Sequence, residues 1–324
     1  MLTVGLNPYG LCCNLGIQGS LRHPKDLDWF VDLAEGMQAG CIEFHCLQLL
    51  TVGEGSLDSI RKRLESTGIE PIVSGPWPLA RITEAIPIAH RLGARKVRTH
   101  VTPILCGDRA KEGENWPKLV DDIKRGLAQI GALFSNNGLT LAIENHQDFG
   151  SNELLELCEI GGKAVGITLD TGNPLAVAED PISFAEKVAP RVRHVHLKDY
   201  RVQTTQEGIR LVRCAIGEGA IPFSDIERIL AASHNELTAS LEPGALESRH
   251  VRLLTDGWWQ GYSIPKDSST RACLAAAKQN AILEGDDWRT PWERGAEAES
   301  VCEYEMEQMM KSVKYMQALG WLPA

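Results

Sequence analysis

The sequence predicts an α/β protein folded as one (β/α)8 TIM barrel, and three observations predict it. Short apolar runs alternate with longer amphipathic runs eight times, nearly from end to end. A minimal barrel of this kind takes about 250 residues, so a chain of 324 holds the barrel and one insertion. Within the strands, apolar and polar side chains keep opposite parities, as they must when one face packs on helices and the other closes the barrel interior.

Strands are expected at 3–6, 41–45, 70–74, 96–101, 139–145, 165–170, 193–197 and 237–242. The first follows from Met-Leu-Thr-Val-Gly-Leu-Asn, which lacks the basic start and long apolar stretch of a signal peptide. Helices are expected at 25–39, 56–67, 79–92, 115–136, 152–161, 181–188, 223–232 and 299–319. Ser56 reads as an N-cap, and Gly68, Gly93 and Gly138 stand just past helix ends. In strand five Leu139, Leu141 and Ile143 oppose Thr140, Ala142 and Glu144. Strand seven sends Val195 and Leu197 outward and His194 and His196 inward, and strand eight does the same with Leu237, Ala239 and Leu241 against Thr238, Ser240 and Glu242. Polar groups therefore collect inside, at the C-terminal strand ends.

The whole chain, 1–324, reads as a single domain, with 245–295 inserted between strand eight and the last helix. That insertion carries Trp258, Trp259, Trp288 and Trp292, four of eight Trp. A lid over the barrel mouth or an oligomerisation segment is expected of it, and a homo-oligomer with it; a surface loop with its own small core is the competing reading. Ile-Gly-Glu-Gly-Ala at 216–220 lacks the strand-then-helix setting of a phosphate-binding loop and reads as a turn.

Composition narrows the function. Forty-three acidic against 33 basic residues give a net charge of −10, which disfavours a nucleic-acid partner. No apolar run approaches the length of a membrane span. Nine Cys with no CxxC pair read as reduced thiols, so a soluble, cytoplasmic protein is expected.

Four ionisable residues end successive late strands: Glu144, Asp170, His196 and Glu242. Such groups are costly at the end of apolar strands unless paired or metal-bound. Three carboxylates with one imidazole form a hard, oxygen-rich set suited to Mn²⁺, with Mg²⁺ or Co²⁺ as alternatives. Buried salt bridges are the bland alternative for any single member. Lys198, Arg201, Arg213 and Arg249 follow strands seven and eight and suit an anionic substrate, although each could be a solvated surface charge. His100 and His146 could bind substrate hydroxyls, and Trp77 could wall a sugar face; ordinary packing is the alternative for all three.

ENH (144–146), LDTGN (169–173), HVHLKD (194–199), GEG (217–219) and LEPG (241–244) resemble the xylose-isomerase-like TIM barrels. That group includes sugar phosphate isomerases and epimerases, keto-sugar 3-epimerases, hydroxypyruvate isomerase, inosose dehydratase and endonuclease IV. The resemblance implies that Glu144, Asp170, His196 and Glu242 bind the metal and that Glu144 and Glu242 form the acid/base pair. Two departures stand out. Keto-sugar epimerases and endonuclease IV generally have a His where this chain has Asn173, and endonuclease IV needs further ligands that His194 does not match.

The expected activity is a divalent-metal-dependent isomerase or epimerase, which passes a small sugar or keto-sugar, acidic or neutral, through a metal-stabilised enediolate. The alternative is a carboxy-lyase of a 3-oxo sugar acid, because ENHQDFGS, HVHLKDYRVQ and WWQGY also look similar to 3-oxo-isoapionate decarboxylases. A non-catalytic barrel subunit is a third reading, disfavoured by the intact ligand set.

Overall fold

The computed structural model describes residues 2–18 and 23–324. Its strands are β1 (Leu2–Leu6), β2 (Cys41–His45), β3 (Glu70–Ser74), β4 (Lys96–Thr99), β5 (Thr140–Glu144), β6 (Val165–Asp170), β7 (Val192–Leu197), β8 (Tyr200–Thr204), β9 (Ile209–Arg213), β10 (Leu237–Leu241) and β11 (Arg249–Val251). The α-helices are α1 (Leu27–Gly36), α2 (Cys46–Thr51), α3 (Glu54–Thr67), α4 (Ala85–Leu92), α5 (Asn115–Asn136), α6 (Ser151–Gly161), α7 (Pro181–Val188), α8 (Phe223–Ser233), α9 (Lys266–Ala276) and α10 (Ala298–Ala318).

Eight parallel strands close in the order β1-β10-β7-β6-β5-β4-β3-β2, so the expected barrel is the observed one. Closure at β1 and β2 needs Gly5, because a Cβ there would lie 1.7 Å from the Cys41 carbonyl oxygen. The outward set, including Leu141, Ile143, Ile167, Leu169, Val195, Leu197 and Leu241, joins the apolar core.

Three expectations change in detail. α3 starts at Glu54, with Gly53 extended before it, and the Ser56 N–H donates to the Gly53 carbonyl; Ser56 is inside the helix and not its cap. The 79–92 helix is a 3-10 turn over Leu79–Glu84 followed by α4. Pro87 explains the break, since a residue without N–H is tolerated in a first turn and not in a helix interior. The loop after strand seven contains a hairpin, β8 and β9, and β11 from the insertion adds to it antiparallel.

That small sheet is anchored by Asp199. Its carboxylate accepts N–H groups from Tyr200, Gly217, Gly219 and Ile221, so the 216–220 stretch is indeed a turn, wrapped round an acid. Gly217 has φ +93, and a Cβ on Gly219 would meet the Asp199 carboxylate at 2.2 Å.

All nine Cys are free thiols, eight of them buried. Among the described residues no helix is long and apolar enough to cross a membrane.

Candidate metal centre and active site

Glu144 closes β5, Asp170 closes β6, His196 is next to last in β7, and Glu242 immediately follows β10. Parallel register sets Asp170 beside His196 and His196 beside Ser240. Neighbouring inward residues thereby reach one level of the barrel. One ligand atom from each of the four acceptor residues lies within 4.8 Å of the others.

His196 Nδ1 is 2.9 Å from Glu242 Oε2 and 3.6 Å from Glu144 Oε1. These three atoms are buried and make no hydrogen bond. Orphaned acceptors in a dry interior cost free energy, and a divalent cation would satisfy them together, so the residues present fit one. Asp170 is fixed from several sides: its N–H donates to Asn145 Oδ1 at 2.7 Å, and its Oδ1 accepts from the Gly172 and Asn173 N–H groups.

Groups not marked by the strand-end pattern of the sequence hold this set in place. Glu43 on β2 lies 2.8 Å from His196 Nε2 and 3.3 Å from His194 Nε2. Asn7 Nδ2 also reaches His196 Nε2, at 2.9 Å. The other His196 nitrogen, Nδ1, is left facing the carboxylates. His194, level with Thr238, is held by Thr238 Oγ1 at 2.8 Å and Ser240 Oγ at 3.0 Å. Arg98 on β4 pairs with Glu144 and donates to Ser74 Oγ at 3.1 Å. Glu43 carries a signal legible in the sequence, a charge in the apolar run CIEFH, whereas Arg98 in KVRT carries none.

Burial alone would raise the Glu43 carboxyl, but the His196 and His194 imidazoles hold it below the usual carboxylate range. Burial opposes charge on His196, yet Glu43 and Glu242 raise its pKa. Glu242 is likewise pushed up by burial but brought well below normal by Lys198 and His196. For Asp170 burial wins, against Lys198, and its carboxyl is raised.

Lys198 does not stand apart as a substrate contact. Its Nζ is 2.5 Å from Asp170 Oδ2 and 2.6 Å from Glu242 Oε1, inside the ligand set. Above the cluster opens a cavity of about 660 Å³. His45, Arg98, His100 and His146 line it from the β2, β4 and β5 ends; Lys198, Arg213, Glu242, Glu247 and Arg249 line it from the β7 and β10 side. Burial, with Arg98 nearby, pushes His100 down to about 3, and burial takes His146 well below its usual value. Both imidazoles are therefore neutral and suited to hydroxyl groups rather than to anions.

Trp77 is 43% exposed and does not line the cavity; it stacks on His100 at 6.2 Å, outside the wall it was expected to form. Arg201 does not join the site. It is exposed on β8 and lines a separate groove with Trp288, Arg289 and Lys311, because strand alternation turns it away from buried Tyr200 and Val202. The insertion splits as well. Leu246, Glu247 and Arg249 line the cavity, whereas none of the four Trp does. Trp258 Nε1 donates to the Cys106 carbonyl at 2.8 Å and Tyr262 Oη to that of Gly107 at 2.7 Å, so this part docks on the loop after β4.

A parallel eight-stranded barrel defines the class of this protein as a TIM barrel, and the carboxylates and imidazole converging at its C-terminal mouth could hold a metal ion. The model of the xylose isomerase-like TIM barrel family matches residues 31–252, and the chain belongs to that family. It is 27% identical over 231 residues to the uncharacterized protein YihM of Escherichia coli K12, covering 68% of this chain and 66% of that one. It is 33% identical over 135 residues to inosose dehydratase 1 of Bacillus cereus strain ZK / E33L, covering 37% and 44%. The chain thus spans less than two thirds of the length of either relative. A D-tagatose 3-epimerase-like protein shares the fold, with a TM-score of 0.58 at 16% identity over 86% of this chain and 99% of that one.

Proposed function

We propose that this protein is a sugar isomerase or epimerase that enolises a small polyhydroxylated carbonyl compound. The observation that carries this reading is the pair Glu144 and Glu242, two buried carboxylates with unpartnered oxygens that both face His196 Nδ1. One removes the proton α to the carbonyl and the other returns a proton at a different face or carbon. Glu144, Asp170, His196 and Glu242 would hold a divalent metal, which when bound supplies a Lewis acid for the carbonyl and its neighbouring hydroxyl. Lys198, between Asp170 and Glu242, adds positive charge where oxyanion charge develops on the substrate. Arg98 pairs with Glu144 and holds that carboxylate in place. The neutral imidazoles of His100 and His146 orient hydroxyl groups.

Loss of water, the reaction in the name of the inosose dehydratases, can follow the same α-proton removal. Loss of CO2 from a 3-oxo sugar acid reaches the same kind of intermediate without it. Incubating Mn²⁺-loaded protein in D2O with a panel of ketoses and 3-oxo sugar acids separates these outcomes. The proposal expects solvent deuterium at the α carbon with the carbon skeleton and water content of the substrate unchanged. Replacing Glu144 or Glu242 by Gln should lower that exchange by about 10²–10⁴-fold, with metal content measured alongside. Product formed only with loss of water or CO2 would overturn it.

A further inference from the structure

We infer that Arg213 and Arg249 form a subsite for a carboxylate, so that the compound enolised here is a keto sugar acid. The inference rests on the enolising reading for the reacting end of the substrate and on an independent feature for the acidic end. The cations on the cavity are matched one by one. Arg98 pairs with Glu144, Lys198 with Asp170 and Glu242, and Arg249 Nη1 with Glu247 at 2.5 Å. Among the described residues Arg213 is the cavity cation left without a carboxylate within 4.0 Å.

Arg213 is only 8% exposed, and its Nε and Nη1 are buried with no hydrogen-bond acceptor. Arg249 is 9% exposed, and its Nε is orphaned in the same way. A guanidinium held out of water with its N–H groups unmade costs stability. Burial disfavours its charge, yet a guanidinium keeps its proton at any ordinary pH. Both guanidinium forks line the cavity, and no carboxylate of the described residues matches the charge of Arg213. Planar carboxylates match such donors, and a single unpaired charge balances a monoanion better than a phosphate dianion. The imidazoles of His100 and His146 line the cavity too and suit the hydroxyl groups of the same molecule.

The test measures α-proton exchange in D2O by Mn²⁺-loaded protein with 5-keto-D-gluconate, D-fructose and D-fructose 6-phosphate. We expect kcat/KM for the acid to exceed that for either other compound by at least about 10-fold, the equivalent of one charge-assisted contact. Arg213→Gln should bring the ratio of acid to neutral ketose close to one, and Arg249→Gln should lower it less. Equal use of acid and neutral ketose by the unaltered protein, or preference for the phosphate, would overturn the subsite. Should Arg213→Gln fail to fold by circular dichroism, the unaltered protein's preference and the Arg249→Gln variant carry the test. If no ketose exchanges, the enolising reading fails and the subsite is judged by calorimetry with D-gluconate against D-glucitol. Tighter binding of gluconate, lost in Arg249→Gln, would support it; equal binding of the two would overturn it.

Discussion

Asp170 and Asp199 are both fully buried acids near the C-terminal ends of β6 and β7, and their surroundings differ in kind. Asp199 accepts four backbone N–H groups and meets no cation within ion-pair distance among the described residues. Asp170 sits among Lys198, His196 and Glu242, next to carboxylate oxygens that have no donor at all. Burial of an acid therefore does not mark function here. The useful mark is what remains unsatisfied: a closed turn satisfies Asp199 from its own chain, whereas the barrel mouth leaves atoms that only an added group can satisfy.

Parallel substitutions test that contrast. Asp170→Asn should lower metal affinity by more than about 100-fold while the metal-free protein stays folded, read by metal analysis and circular dichroism. Unchanged metal affinity in the folded variant would reverse the assignment. Glu43→Gln should cost a further step less, about 10–100-fold in metal affinity by calorimetry, because it touches the cluster only through His196 Nε2. Unchanged affinity would make Glu43 a packing residue. Asp199→Asn should leave metal affinity alone and lower stability by about 1–3 kcal/mol in denaturant unfolding, since an amide cannot accept from all four N–H groups.

The smallest effect concerns pH. Burial pushes Asp199 up to about 6 from 3.8, and pushes Glu305 on α10 up to about 7 from 4.5 despite N–H donation from Cys13 and Asn14. Both folded values are raised, so the stability these groups contribute is complete at low pH and is lost as pH rises through the folded values. Glu305→Gln should flatten the fall in melting temperature between about pH 4.5 and 7. An unchanged profile would show that Glu305 titrates as it does in the unfolded chain.

The sequence by itself determined the barrel, because strand parity and strand–helix alternation are local patterns that eight repeats make unambiguous. It also placed Glu144, Asp170, His196 and Glu242 at equivalent strand ends, and equivalent ends of parallel strands meet. Tertiary structure decided the rest. Glu43 and Arg98 become part of the site only when β2 and β4 close round the axis. Arg201 and Arg213 look alike in the sequence, but the hairpin they share turns the first to solvent and buries the second at the cavity. The insertion's Trp residues advertise a lid, yet only Leu246, Glu247 and Arg249 of that segment line the cavity. Pattern reports which way a side chain faces its own strand, whereas a site depends on which distant strands, loops and charges arrive at the same point, and that is settled by packing.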